Sequence, residues 1–239
     1  MRTVFPYQVE DRLKAEFFAP SPAGYFVEVG ANAPQAGSQT WQFEQAGWTG
    51  VLVEPQPDLA EELRRTRRAR VVSAACSSPA RAGGTVRLHL LGPHSSLKPD
   101  LVVTGVVAQG AIDVPARTLD EVLEEVSAPV PIDFVSIDVE GHEVEVLHGF
   151  DLKRWRPHLI LIEDHVGNLA THRFLTGAGY RLIRRTGLNG WYVPRSQAPR
   201  VGFGRWQLLR KYYLALPIRM LRDRKRRLRD RLRARYGRH

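Results

Sequence analysis

The sequence predicts an α/β protein built on a doubly wound, mostly parallel sheet. Short runs rich in Val, Ile and Leu alternate with amphipathic helical segments, and polar residues follow most of these runs. In an open parallel sheet the ligand lies outside the carboxyl ends of the strands, where these polar residues would gather. A chain of 239 residues is long enough to bury such a core without disulfides.

The first half of the sheet is predicted from five consecutive segments. The strands are residues 25–29, 51–53 and 70–75, and the helices between them are residues 38–46 and 57–66. The second helix starts with proline and carries acidic residues in its early turns, where they suit the positive end of the helix dipole. This βαβαβ order is half of a doubly wound fold.

The second half follows a stretch of glycines and prolines. We interpret residues 77–116 as an insertion or β-rich flap, with strands predicted at 85–90 and 101–107. The remaining predicted elements are helices at 118–126 and 173–178, a short helix ending near Gly149, and strands at 132–137, 158–162, 180–184 and 191–193. Thr118 and Glu121 have the spacing of a capping box.

The net charge of +10 comes from the end of the chain. Residues 205–239 hold twelve Arg and two Lys against two Asp, which leaves residues 1–204 at −2. Apolar residues spaced four apart predict basic amphipathic helices in a tail at 204–239, beside a domain at 1–203. We expect the tail to lie on an anionic membrane surface, to bind a polyanion such as RNA, or to pack on the domain.

The sequence favours a cytoplasmic protein. Its single cysteine, Cys76, excludes an intrachain disulfide and fits a reducing compartment. Acidic residues interrupt the N-terminal apolar residues, unlike in a signal peptide, and no apolar stretch reaches membrane-spanning length. Through its tail the protein could also be peripheral on the inner face of the membrane.

The turn after the first strand predicts an adenosine ligand, together with Glu54 at the end of the next strand. Gly30 allows close backbone approach, and Glu54 can accept hydrogen bonds from both ribose hydroxyls. The glycine motif alone leaves a dinucleotide and another adenosine compound open. Asn32 and Gln35 replace the later glycines of a dinucleotide motif, so a pyrophosphate would meet side chains there. S-adenosylmethionine fits better, and Glu28 suits its ammonium group.

Five motifs, in this order, resemble one protein family. They are VEVGAN, GSQTWQFEQAGWTGVLVEP, ARTLDEVL, IDFVSIDVEGHEVEVLHGF and LILIEDH, within about residues 20–195. They resemble the FkbM family of S-adenosylmethionine-dependent methyltransferases. The resemblance implies the class I methyltransferase fold, which is Rossmann-like with a seven-stranded sheet and one antiparallel strand, and O-methylation of sugars or secondary metabolites.

The resemblance also implies which residues bind the cofactor. They are Glu28, Gly30, Asn32 and Ser38 at the methionine part, Glu54 at the ribose, Ala75 and Cys76 at the adenine, and Asp138 at the methyl donor. The stretch PQAGSQT, residues 34–40, departs from the family pattern, which often has a further Gly and a Tyr-Ser after the turn.

Two strand ends carry groups that could activate an acceptor hydroxyl. In one hypothesis Asp138 or His165 is the general base, with Glu140 beside it. In the other, Asp138, Glu140 and Glu163 hold Mg²⁺ or Mn²⁺, which lowers the pKa of the hydroxyl. We expect residues 95–97 to border the acceptor pocket, because the insertion should cover the strand ends.

The sequence therefore predicts an S-adenosylmethionine-dependent O-methyltransferase that acts on a hydroxyl of a sugar, a glycan precursor or a related metabolite. One rival is an NAD-dependent oxidoreductase of Rossmann type, which the missing glycines disfavour. The other is a non-catalytic polyanion- or RNA-binding protein, which the nearly neutral domain disfavours.

Overall fold

The computed structural model describes residues 6–19, 23–92, 94–98, 109–164 and 169–197, and positions 217, 218, 221, 224 and 225 of the tail. The helices are α1 (Pro6–Phe18), α2 (Trp41–Gln45), α3 (Pro57–Thr66), α4 (Leu119–Glu125), α5 (Glu143–His148), α6 (Leu152–Trp155) and α7 (Ala170–Gly177). The strands are β1 (Tyr25–Val29), β2 (Thr49–Val53), β3 (Arg70–Val72), β4 (Ala75–Cys76), β5 (Thr85–Leu90), β6 (Gly110–Arg117), β7 (Phe134–Ile137), β8 (Leu159–Glu163), β9 (Tyr180–Thr186) and β10 (Asn189–Pro194).

Within these residues, seven strands form the central sheet in the order β3-β2-β1-β7-β8-β10-β9. In this sheet, the five neighbouring strands β3, β2, β1, β7 and β8 pair in parallel, and β10 runs antiparallel to both of its neighbours. The prediction of a mostly parallel sheet with one antiparallel strand is confirmed. The chain order reverses between β1 and β7, and this reversal opens a crevice at their carboxyl ends.

A hydrophobic core lies on each face of the sheet, because successive side chains of a strand point to opposite faces. On one face, Val27 and Ile137 belong to a core that includes side chains of α4, α5, α6 and α7. On the other face the core is aromatic. There the ring of Phe18 lies 5.0 Å from that of Trp48 and 6.2 Å from that of Phe134, between centroids.

Helix α1 was not predicted, and it covers the aromatic face of the sheet. Glu10, Leu13, Lys14 and Phe17 follow the i, i+3, i+4, i+7 spacing of one helix side, and all four are buried. Two of them are charged, which hides the apolar period in the sequence. The buried charges need polar partners, and these come from distant segments of the chain.

The predicted strand 70–75 is two strands in two sheets, which corrects the prediction. β3 ends the central sheet at Val72. β4 belongs to a second sheet, which in the described residues has three strands in the order β4-β6-β5, and it pairs in parallel with β6. The backbone keeps its hydrogen bonds through this change of partner, since Ser77 N donates to the carbonyl of Arg117 (2.8 Å). The predicted strand 101–107 lies outside the described residues.

Two predicted helix starts have different outcomes. The capping box of α4 is confirmed, because the Thr118 hydroxyl accepts from Glu121 N (3.1 Å) and the Glu121 carboxylate accepts from Thr118 N (2.8 Å). Helix α2 begins at Trp41 rather than at Ser38, because the three residues before it bind a buried carboxylate described below.

The tail is described only at five positions, so the predicted basic helices stay a prediction. Two of these positions are apolar and exposed, Ile218 at 67% and Leu221 at 61%. In the described part of the chain, no helix combines the length and the apolar character needed to cross a membrane.

Candidate active site

A cavity of about 670 Å³ opens at the carboxyl ends of β1, β2, β7 and β8. The β9–β10 turn and the strip 94–97 of the insertion also line it. That residues 95–97 border the acceptor stays a prediction. A cavity of this size suits a small organic ligand. The predicted cofactor-binding residues that line it are Glu28, Gly30, Asn32, Glu54, Ala75, Cys76 and Asp138.

Gly30 is the point where the ends of three strands meet. Its backbone has φ of +82°, and its amide donates to the carbonyl of Val53 (2.9 Å). A Cβ added to Gly30 would lie 1.8 Å from the carbonyl oxygen of Asp138. Glycine is therefore required here by the conformation and by the close approach of the β7 end.

Glu54 is a buried carboxylate, 3% exposed, which the backbone orients from two sides. Its Oε2 accepts from Asn32 N (2.8 Å) and its Oε1 from Gln56 N (2.9 Å). Burial raises the pKa of Glu54, and the two backbone hydrogen bonds oppose that rise. Each carboxylate oxygen can accept a further hydrogen bond, so the group can still bind a diol.

Glu28 holds the loop between β1 and α2. Its carboxylate accepts from the hydroxyls of Ser38 (2.9 Å) and Thr40 and from Gln39 N (2.6 Å). Arg67 donates to both hydroxyls, at 3.2 Å to Ser38 and 3.0 Å to Thr40. Ser38 is not among the residues that line the cavity, and its predicted contact with the cofactor stays a prediction.

Asp138 and Glu163 form a carboxyl pair at the ends of the neighbouring strands β7 and β8, joined by a side-chain hydrogen bond. Asp138 is exposed at the open cavity. Desolvation by the surrounding protein, followed by the charge of Glu163, raises its pKa well above its usual range. Burial, followed by the charges of Glu140 and Glu143, raises the pKa of Glu163 to about 7. The pair therefore retains a proton near neutral pH, since both groups resist ionising together.

Glu140 contacts the insertion. Its Oε1 lies 2.7 Å from Nδ1 of His94, and its backbone carbonyl accepts from the Ser96 hydroxyl (2.8 Å). Among the residues that the structure describes, no three His, Cys, Asp or Glu side chains are arranged to hold a metal ion. The structure thus does not assemble Asp138, Glu140 and Glu163 as a metal-ligand set, because Glu140 pairs with His94.

Two other groups of the cavity wall are neutral near pH 7. Burial lowers the pKa of His142 to about 4, and its Nε2 lies 3.0 Å from the hydroxyl of Ser77. Burial raises the pKa of the Cys76 thiol to about 12, as suits a packed side chain. The predicted base His165 lies outside the described residues, and so its role stays a prediction.

The sequence analysis missed part of the cavity wall. The missed side chains that the structure brings to the cavity include Glu10, Gln39, Gln56, His94, Thr186 and Asn189. A signal existed for Glu10, because a carboxylate at a core position of an amphipathic helix must find a buried partner. No comparable signal marks the others, which lie in loops or at the facing ends of β9 and β10.

Comparison with protein families matches residues 28–182 to the "Methyltransferase FkbM domain". Comparison with curated proteins finds no match. The family match covers more than half of the chain. It contains β2, β7, β8 and the last two residues of β1, and the ends of these four strands form the cavity.

Solved structures with some likeness include monomeric WbdD, the METTL16 methyltransferase domain, and the putative methyltransferase yhhF from Escherichia coli. WbdD has 13% identity and a TM-score of 0.45, with 80% of this chain and 42% of WbdD covered. The METTL16 domain has 12% identity and a TM-score of 0.45, with 79% of this chain and 64% of that domain covered. The protein yhhF has 13% identity and a TM-score of 0.41, with 82% of this chain and 90% of yhhF covered.

All three TM-scores are below 0.5, so the assignment depends on the family match and on the observed strand order. The seven strands and the single antiparallel strand are those expected from the resemblance. On these grounds, the chain belongs to the FkbM methyltransferase family.

Proposed function

We propose that the protein is an S-adenosylmethionine-dependent O-methyltransferase, and that its acceptor is a hydroxyl of a sugar, a glycan precursor or a related metabolite. The observation that carries the proposal is the Glu54 carboxylate, buried at the end of β2 and oriented by two backbone amides toward a cavity of about 670 Å³. A fixed carboxylate in this position suits the two hydroxyls of a ribose.

The rest of this cavity wall fits the same cofactor. Ala75 and Cys76 offer an apolar surface for the adenine beyond Glu54, and Gly30 leaves a narrow turn for the methionine part. Asn32 occupies a position where a dinucleotide motif has glycine, which supports a ligand without a pyrophosphate. S-adenosylmethionine, when bound, supplies an electrophilic methyl group.

The pair of Asp138 and Glu163 supports the transfer to a hydroxyl. An acceptor oxygen must lose its proton, and a general base works best when its pKa lies near the working pH. Burial, with the charges of Glu140 and Glu143, raises the pKa of Glu163 to about 7, which meets this condition. We therefore propose that the pair is the general base: the protonated Asp138, which faces the reacting group, passes its proton to the Glu163 carboxylate as it takes the proton of the acceptor hydroxyl.

The insertion supports a polar acceptor. His94, Ser95 and Ser96 line the cavity on the side of Glu140, so hydroxyl groups of a sugar would find both donors and acceptors there. These groups are half-buried or buried, where a hydrogen bond that a substrate fails to make is costly. Such a wall selects a polyhydroxy compound over an apolar one.

Binding of S-adenosylmethionine tests the proposal. We expect calorimetry to detect binding to the wild-type chain and none of NAD at equal concentration. Glu54→Gln should weaken binding of S-adenosylmethionine by about 10- to 100-fold, because a charge-assisted hydrogen bond to a buried carboxylate contributes roughly 1.5–3 kcal/mol. The radiolabelled methyl group should be transferred to a free or lipid-linked glycan.

The matched control is Glu62→Gln, a carboxylate on the exposed side of α3. It should leave the affinity unchanged. If the wild-type chain does not bind S-adenosylmethionine, or if Glu54→Gln binds it as tightly as wild type does, the proposal is wrong.

For the tail, we propose peripheral attachment to an anionic membrane surface, on the cytoplasmic side. The twelve Arg and two Lys of residues 205–239 support contact with lipid phosphates, and its aromatic and Leu residues support insertion at the interface. Sedimentation with vesicles containing phosphatidylserine should carry the full chain down at low salt, and phosphatidylcholine vesicles should not. Equal sedimentation with both, or salt-dependent binding to RNA alone, would contradict this proposal.

A further inference from the structure

We propose that Glu10 of α1 is a positioning residue for cofactor binding, acting through Gln39 and through the turn between β9 and β10. The inference rests on the proposed function, because it concerns the part of the cavity around Gly30 that would hold the methionine part of the cofactor. Helix α1 precedes residues 28–182, the segment that matches the family. The role therefore belongs to an element outside the matched domain.

The carboxylate of Glu10 joins two segments that are far apart in the sequence. Its Oε2 accepts from Nε2 of Gln39 (3.0 Å), and its Oε1 accepts from Nδ2 of Asn189 (2.9 Å) and from the Thr186 hydroxyl. The Glu10 residue is 1% exposed. Buried hydrogen bonds to an ionised acceptor are strong, so Glu10 fixes the distance between the loop after β1 and the β9–β10 turn.

A second side chain of α1 holds Gln39. Lys14, one helical turn after Glu10, donates from Nζ to the backbone carbonyl (2.6 Å) and to Oε1 (2.8 Å) of Gln39. The backbone N of Gln39 in turn donates to Oε1 of Glu28 (2.6 Å). Gln39 therefore has a hydrogen-bond partner at its backbone N, its backbone O and both polar atoms of its side chain. These contacts fix both the backbone and the side chain of Gln39.

The helix that supplies these contacts is itself anchored in the core. Leu13, Phe17 and Phe18 of α1 belong to the aromatic core on that face of the sheet. Glu10, Gln39, Thr186 and Asn189 all line the cavity. A rigid helix thus holds two parts of the cavity wall in register through one carboxylate.

Loss of Glu10 should affect binding rather than the chemical step. The loop and the turn would separate, and the wall around the methionine part would loosen. Asp138 and Glu163 lie at the ends of other strands, β7 and β8, and would keep their positions. Weaker binding in both the ground state and the transition state raises KM and leaves kcat unchanged.

The test compares Glu10→Ala and Glu10→Gln with wild type in the full chain. For Glu10→Ala we expect the Kd of S-adenosylmethionine and its KM to rise about tenfold, with kcat within about twofold. Glu10→Gln keeps the shape and one acceptor oxygen but places an NH2 group against a donor on its other side, so it should restore only part of the affinity. The matched control Glu16→Gln, exposed on the same helix, should bind as wild type does.

A second variant separates positioning from loss of folding. Asn189→Ala removes one of the two hydrogen bonds between Glu10 and the turn and leaves that of Thr186, and it should weaken binding without a large change in the urea midpoint. In Glu10→Ala the further change Asn189→Ala should add little, because the two groups act through one contact.

Two results would overturn the inference. One is an unchanged Kd in Glu10→Ala that unfolds at the same urea concentration as wild type does. The other is a loss of kcat at unchanged affinity. If wild type itself fails to bind S-adenosylmethionine, the proposed function falls first, and the inference falls with it.

Discussion

Gly30→Ala is expected to destabilise the chain by about 4 kcal/mol or more, or to prevent folding. Two causes add. The φ of +82° strains any residue with a Cβ, and that Cβ would lie 1.8 Å from the carbonyl oxygen of Asp138. The neighbouring atom is backbone, so only a shift of the β7 end could relieve the clash. Urea unfolding followed by circular dichroism measures the change in the free energy of unfolding.

Gly37→Ala is the matched control for this prediction. Gly37 has almost the same backbone, with φ of +81°, but nothing lies within 4 Å of an added Cβ. Gly37→Ala should lower the free energy of unfolding by about 1–2 kcal/mol, the cost of a residue with a Cβ at positive φ. Equal costs for the two variants would show that the close approach at Gly30 does not exist in solution.

Glu163→Gln is expected to stabilise the chain above neutral pH while reducing methyl transfer by about 100-fold or more. Burial, with the charges of Glu140 and Glu143, raises the pKa of Glu163 to about 7, whereas a Glu side chain in an unfolded chain has a pKa of about 4.3. The native state thus binds this proton more tightly than the unfolded state does.

The sign of the pH dependence follows. A carboxyl whose pKa is raised in the native state contributes fully to the free energy of unfolding below about pH 4, and this contribution is lost as the pH rises through about 7. Since one pKa unit corresponds to about 1.4 kcal/mol, wild type should lose up to roughly 2–3 kcal/mol from this group between pH 5 and pH 8. Glutamine does not ionise, so the free energy of unfolding of Glu163→Gln should change less with pH over this range. The variant should be more stable than wild type at pH 8.

Unfolding in urea at pH 5, 6, 7 and 8 measures this effect, and transfer of a radiolabelled methyl group measures activity. Glu62→Gln, on the exposed side of α3, should follow the wild-type profile in both. If Glu163→Gln keeps full activity, Glu163 is not part of the base. If its stability falls with pH as steeply as that of wild type, burial does not raise the pKa of this group.

The elements that could be predicted are those set by neighbouring residues. α3 (Pro57–Thr66) was predicted with its observed bounds, because proline at the start and acidic residues in the early turns act within the helix itself. The capping box of Thr118 and Glu121 is equally local. The doubly wound, mostly parallel sheet followed from the alternation of strands and helices with the resemblance to the family.

The part of the site carried by strand ends was also predictable. Gly30, Glu54 and Asp138 follow predicted strands, and in a parallel sheet those ends meet at one edge. Whether they bind the proposed cofactor stays a prediction until the binding experiments above are done. Glu163 was predicted at a strand end, but its hydrogen bond with Asp138 was not predicted.

The sequence by itself determined most strands of the central sheet, the capped helices, the glycine bend and the carboxylates at the strand ends, because each of these depends on residues close together in the chain. Only the tertiary structure decided which polar groups meet. Glu10 contacts Asn189 across 179 positions, and Glu140 contacts His94 across 46. The physical reason is that a buried charge requires a partner without specifying which one, and packing of the whole chain makes that choice.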